Sequence, residues 1–141
     1  MSYTVKKITV KDLNPTLLRF IANSSTELNE MYDFNFNWAH KFPLKYAIET
    51  QVFLICYKGD TPVGMLVASL QPAFFDTSKR VLKQQTLFSK YPRATYELLR
   101  YFIDFGRLNA NLVVTNIGKH TNLKPESLKK LGFTKMEEVF S

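Results

Sequence analysis

Cysteine is almost missing from this chain. Cys56 is the only one in 141 residues, so no intrachain disulfide can form and a reducing compartment, the cytoplasm, is expected. It sits within the apolar run Val52 to Tyr57 with no cation beside it, which suits a buried strand residue better than a nucleophile. Long apolar runs are also absent: none approaches the roughly 20 residues that span a bilayer. No charged-then-apolar segment opens the chain, so neither a membrane span nor a signal is expected. Dense basic blocks are lacking as well. The formal charge of +7 attracts anionic partners such as a nucleotide-like cofactor, nucleic acid or an acidic protein. Because the lysines and arginines are scattered, nucleic-acid binding ranks third among the functional readings. Repeats, linkers and low-complexity tracts are missing too, leaving one domain over residues 1–141.

What is present centres on Val81 to Leu108, which reads as a strand, a turn at Ser89 to Pro92 and a long helix. Pro92 suits the first helical turn, where its missing N–H costs nothing and its fixed φ is already helical. Leu98, Leu99, Phe102, Ile103 and Gly106 recur at spacings of three and four, which sets one apolar stripe against a sheet. The start of such a helix offers unpaired N–H groups and the positive end of a dipole, worth ~0.3–1 kcal/mol toward an anion. Lys90 and Arg93 add charge there. An ordinary strand–helix junction that binds nothing is the alternative.

The remaining elements follow in order. Tyr3 to Val10 alternates as a strand with one wet face, slipping at Lys6-Lys7. Asn14-Pro15 starts a helix with Leu17, Leu18, Ile21 and Leu28 in its stripe, fraying near Asn23 to Thr26. From Met31 to Phe42, the rings of Tyr32, Phe34, Phe36, Trp38 and Phe42 alternate mainly with Asp33, Asn35 and Asn37, either lining an apolar pocket or plugging the core. Leu44 to Thr50 reads as a short helix. Val52 to Tyr57 and Val63 to Leu70 form a hairpin about Lys58-Gly59-Asp60, and Gln71 to Arg80 an exposed connection. Asn111 to Ile117 is a buried strand, Lys124 to Leu131 a short helix that Gly132 ends as a left-handed cap, and Thr134 to Ser141 a last strand.

This order of elements, the hairpin KGDTPVGMLVA and the ending NLKPESLKKLGF together resemble the GNAT superfamily of N-acetyltransferases over nearly the whole chain. The resemblance implies an α/β fold with a mixed, mostly antiparallel sheet flanked by about four helices, its last strand short or missing. It also implies acetyl-CoA in the cleft where the fourth and fifth strands part, with the diphosphate on the start of the following helix. The cofactor-binding residues it implies are Lys90, Arg93, Ala94, Thr95 and Asn122.

Departures from the family pattern are informative. The R-x-x-G-x-G/A turn falls on Lys90-Tyr91-Pro92-Arg93-Ala94-Thr95 and has lost both glycines, which let a backbone approach a phosphate closely. The family's general-acid tyrosine aligns with Leu128. Its strand carboxylate aligns with Gln84 and Gln85, whose amides do not titrate. His120 and Tyr46 are the candidate catalytic residues, with Glu49 and His40 behind them. No metal site is expected. One terminal strand where members have two leaves a C-terminal sheet edge open to a second copy or a protein partner. Small acetyltransferase-like proteins of tailed phages are similar in size and also lack the glycine turn. The expected function is therefore an acetyltransferase fold with weak or lost catalysis that acts by binding, as a phage accessory or virion component. An active CoA-dependent N-acetyltransferase acting on an amine is the alternative.

Overall fold

The computed structural model describes residues 2–32, 48–73, 76–115 and 130–132. Within them, five strands form one sheet in the order β1 (Tyr3–Lys7), β2 (Val52–Lys58), β3 (Thr61–Pro72), β4 (Arg80–Ser89) and β5 (Leu112–Val114). The first three pairings are antiparallel, whereas β4 and β5 run parallel. That parallel step needs a crossover, supplied by α2 (Pro92–Asn109). Helix α1 (Pro15–Tyr32) covers the other face, so the sheet is the middle of three layers.

Alternation within the central strands sorts the core. Val52, Leu54 and Cys56 join Leu66, Ala68 and Leu82 under Ala94, Leu98, Leu99 and Phe102 of α2. Phe53, Ile55, Met65 and Val67 join Ile8 beneath Leu17, Phe20 and Ile21 of α1. Strand β2 is thus buried on both faces, as its unbroken apolar run predicts. Gly59, at φ 64°, makes the hairpin turn that any side chain would strain. Gly132 takes φ 95° just after Lys130, the positive φ that a left-handed cap requires, while residues 124–129 of the helix it was expected to end lie outside the described residues.

Several boundaries differ from the sequence reading. Strand β1 ends at Lys7, and Val10–Asp12 forms a 3₁₀ turn. Asp12 fixes that turn, accepting from the Thr9 N–H at 2.7 Å and from the Lys6 ammonium at 2.5 Å. Helix α1 starts as expected, with Asn14 Oδ1 accepting from the Leu17 N–H at 2.8 Å. It does not fray at Asn23 to Thr26 but continues to Tyr32: buried Ser24 donates its hydroxyl to the Phe20 carbonyl at 2.8 Å, so its polarity is met inside the helix. The connection after β3 is shorter than predicted, because Gln71, Pro72 and Arg80 pair within the sheet. A tight turn carries the chain across, and there Asp76 accepts from the N–H and hydroxyl of Ser78.

Within α2, Leu98, Leu99, Phe102 and Gly106 are buried as predicted, Ile103 is half-buried, and Ala94 and Thr95 extend the stripe. The aromatic segment 33–42, the beginning of the short helix at 44–47, Phe74-Phe75, residues 116–129 and the final strand Thr134 to Ser141 lie outside the described residues, as does the side chain of Leu28. The proposed C-terminal docking edge lies outside them with that strand.

Gly106 is where α2 comes closest to β5. A Cβ there would collide with Val113 Cγ2 and lie 3.4 Å from Leu82 Cδ2. Gly106→Ala gains ~0.8–1.0 kcal/mol of helix propensity against ~1–3 kcal/mol for overpacking. We expect a net loss of about 1–2 kcal/mol, read as a lowered urea midpoint with an unchanged m value; a raised midpoint would show that the helix moves off β5 freely.

Candidate functional site

Strand β4 carries the decisive irregularity. Val67 pairs with Thr86 and Ala68 with Gln84, so Gln85 is one residue too many. An extra residue bends a strand and shifts its alternation by one. Before the bulge Leu82 faces α2; after it Leu87 does, and Phe88 turns toward α1. Among the described residues, pairing with β5 covers Val81 to Lys83, opposite Leu112 to Val114, and the continuation of β5 beyond Thr115 lies outside them. A side-chain hydrogen bond from the Thr115 hydroxyl to Gln84 Oε1 adds to this contact. Past the bulge, Thr86 to Phe88 keep their β3 partners and lead into the start of α2.

Helix α2 begins at that end. Tyr91 occupies the N-cap with extended backbone and no side-chain cap, and Pro92 fills the first position. Thr95 donates its N–H to the Tyr91 carbonyl at 3.2 Å, so that amide is engaged by the helix. Of the first-turn donors, those of Arg93 and Ala94 remain, and Ala94 is fully buried. Only Arg93 thus presents its amide from an exposed residue.

Three cations surround this turn, and each has a partner. The Lys58 ammonium lies 4.7 Å from the Tyr91 ring centroid and 5.9 Å from that of Tyr3, and the two rings meet edge to face at 6.5 Å. Lys90 spends its N–H on the Val63 carbonyl at 3.0 Å, and its ammonium lies 5.9 Å from the Phe20 ring. Arg93 reaches Glu97 Oε1 at 2.8 Å and lies 5.5 Å from the Tyr96 ring. Such cation–π contacts are worth about 0.5–1 kcal/mol when exposed, enough to fasten the turn against β1, β2 and α1.

Of the residues expected from sequence to bind the cofactor, the structure gathers Lys90, Arg93, Ala94 and Thr95 at one turn. Asn122 and the catalytic candidates His120 and Tyr46 lie outside the described residues, as do His40 and Leu128. Glu49 is exposed within the end of the short helix. Gln84 is buried against Thr115, and Gln85 donates to Ser69 Oγ at 2.8 Å, so both strand amides are occupied. Sequence reasoning missed Lys58 and Glu97. Lys58 ends β2, distant in sequence, and Glu97 looks like any exposed helix carboxylate, although its spacing of four from Arg93 hints at the ion pair. A shallow depression of about 350 Å³ lined by Ala73, Lys79, Arg80, Val81, Asn111 and Leu112 lies at the opposite end of β4, away from this turn.

No protein-family model matches the chain, and no curated protein matches it in sequence. Solved structures do match in shape. The aminoglycoside acetyltransferase meta-AAC0020 from an uncultured soil metagenomic sample, in complex with sisomicin, superimposes with a TM-score of 0.72 at 14% identity, covering 99% of this chain and 93% of that one. The fold is that of the GNAT acetyltransferases. AAC(6')-Iy, bound to a bisubstrate analogue containing CoA, gives a TM-score of 0.71 at 13% identity, over 100% of this chain and 97% of that one. A transcriptional regulator from Bacillus halodurans gives 0.71 at 12% identity, over 99% and 98%. At such identities the GNAT likeness establishes the architecture that the sequence resemblance implies. No helix among the described residues is long and apolar enough to cross a membrane.

Cys56 lies under this site, fully buried. Burial, with a smaller contribution from the nearby Glu97 carboxylate, pushes its thiol pKa up to about 11 from 9.0. A raised folded pKa gives stability that is full below the unfolded value and is lost as pH rises through the folded one. Folding stability should therefore fall between about pH 9 and pH 11, and more steeply in the native protein than in Cys56→Ala. Urea titrations across that range check this, and equal slopes would contradict it.

Proposed function

We propose that this GNAT-fold chain binds acetyl-CoA in the parting between β4 and β5 and that its acetyl transfer is weak or lost. The observation that carries the proposal is the Gln85 bulge, which reorients the half of β4 that leads into the start of α2 relative to the half that pairs with β5. The β4 backbone from Thr86 to Phe88 suits the amide-bearing pantetheine arm. At the other end, the Arg93 amide and the Arg93 and Lys90 side chains would hold the diphosphate, with Asn122 the further candidate.

The diphosphate end explains why the grip is coarse. Side chains stand where the family has glycine, Pro92 lacks a donor, Thr95's amide is engaged and Ala94 is covered. Charged side chains partly replace backbone donors, with less fixed geometry. When bound, the thioester supplies an acetyl group activated toward an amine. This chain's contribution is to align it along β4. Neither Gln84 nor Gln85 can take the amine's proton, since their amides do not titrate. His120 and Tyr46 are the candidates for that role. Small phage acetyltransferase-like proteins, which this chain resembles in size, also lack the glycine turn, and on that resemblance we propose further that the chain acts by binding as a phage accessory or virion component.

A second reading, active N-acetylation of an amine, is favoured by neighbours that are aminoglycoside acetyltransferases. Calorimetry with acetyl-CoA tests binding: micromolar affinity is expected, and silence at millimolar ligand would remove both readings. Thiol release in the presence of aminoglycosides or simple polyamines separates them. Turnover near or above about 1 s⁻¹, the low end for working enzymes, would replace weak catalysis by the active-enzyme reading.

A further inference from the structure

Arg93 begins one helical turn before Glu97, and its guanidinium reaches toward that residue, away from the helix start. Glu97 is unusual for a helix carboxylate beside solvent: its side chain is 17% exposed, and its Oε1 atom is fully buried. That oxygen meets the guanidinium at 2.8 Å but forms no aligned hydrogen bond with any group among the described residues. The contact is thus an ion pair by distance and charge, without the paired geometry that makes arginine–carboxylate contacts hard to break. The face of Tyr96, 5.5 Å from the guanidinium, holds it in the same direction.

We infer that Glu97 competes with the bound anion for Arg93 and so sets how tightly the start of α2 grips a diphosphate. This rests on the acetyl-CoA reading for the identity of the ligand, and on the Arg93–Glu97 geometry for the competition. For Arg93 to reach a diphosphate at the helix start, its guanidinium must leave Glu97. Departure strands a buried carboxylate oxygen without its cation, which opposes the exchange. Glu97 is a positioning residue in this account, acting only through Arg93. The arrangement makes anion affinity depend on a residue that never touches the ligand.

The test is a double-mutant cycle read by calorimetry with two probes, inorganic pyrophosphate and acetyl-CoA, at low ionic strength. Glu97→Gln should tighten pyrophosphate binding about tenfold, the scale of one charge-assisted contact. Arg93→Ala alone should weaken it by only about twofold to threefold, because leaving Glu97 offsets most of what Arg93 gives the anion, and Arg93→Ala combined with Glu97→Gln should lose the gain. Glu97→Ala serves as a second release variant, and circular dichroism verifies that each protein is folded. Unchanged or weaker pyrophosphate binding in both release variants overturns the inference. So does a gain that survives in the double mutant, since that is plain removal of a repelling charge. A pyrophosphate gain with acetyl-CoA silent in every protein sustains the competition and sinks the cofactor reading alone.

Discussion

Strand β4 is shared between two neighbours that ask different things of it. On one side, β3 runs antiparallel to it from Gly64 to Pro72 and requires a continuous ladder. On the other, β5 pairs in parallel with Val81 to Lys83 among the described residues. One extra residue, Gln85, separates the half of β4 that carries these pairs from the half that leads into α2, while the β3 ladder resumes past it. Twist and bend are concentrated at such a bulge. The facing of Leu87 and Phe88 and the approach of β4 to the turn before α2 follow from that irregularity.

Packing holds this arrangement on both faces. Helix α2 lies over its layer with Leu98, Leu99 and Phe102 fully buried, and each such side chain contributes about 1.5–3 kcal/mol by leaving water. Gly106 lets the last turns of the helix approach Val113 closely, which pins β5 beside the first half of β4. On the opposite face, the Phe20 ring of α1 meets that of Phe88, their centroids 6.2 Å apart.

Electrostatics at the helix start run against a simple anion trap. A positive helix end and three cations are present, yet each cation is engaged by a ring or a carboxylate. Glu97 offsets the charge of Arg93, whereas the rings hold Lys58 and Lys90 without neutralising them. The same contacts stiffen a turn that has lost its glycines. A chain that keeps the architecture and changes the turn chemistry in this way exchanges backbone recognition of phosphate for side-chain recognition.

Local sequence was enough wherever one physical rule dominated. The 3.6-residue stripe of α2, the Asn14-Pro15 helix start, the buried β2–β3 hairpin and the positive φ at Gly132 each follow from periodicity or backbone chemistry, and the order of elements together with the hairpin pointed to the GNAT architecture. The gathering of Lys90, Arg93, Ala94 and Thr95 at one turn was equally readable, because they are neighbours in sequence. Tertiary structure alone decided the bulge at Gln85, since a register shift is defined by a partner strand. It also decided the direction in which each cation points: Lys58 meets Tyr91 and Tyr3 only after β1, β2 and α2 are assembled. Glu97 became a buried partner of Arg93 for the same reason. Sequence sets which groups exist and their local conformation, but burial and competition between charges depend on distances between segments, and those exist only in the folded chain.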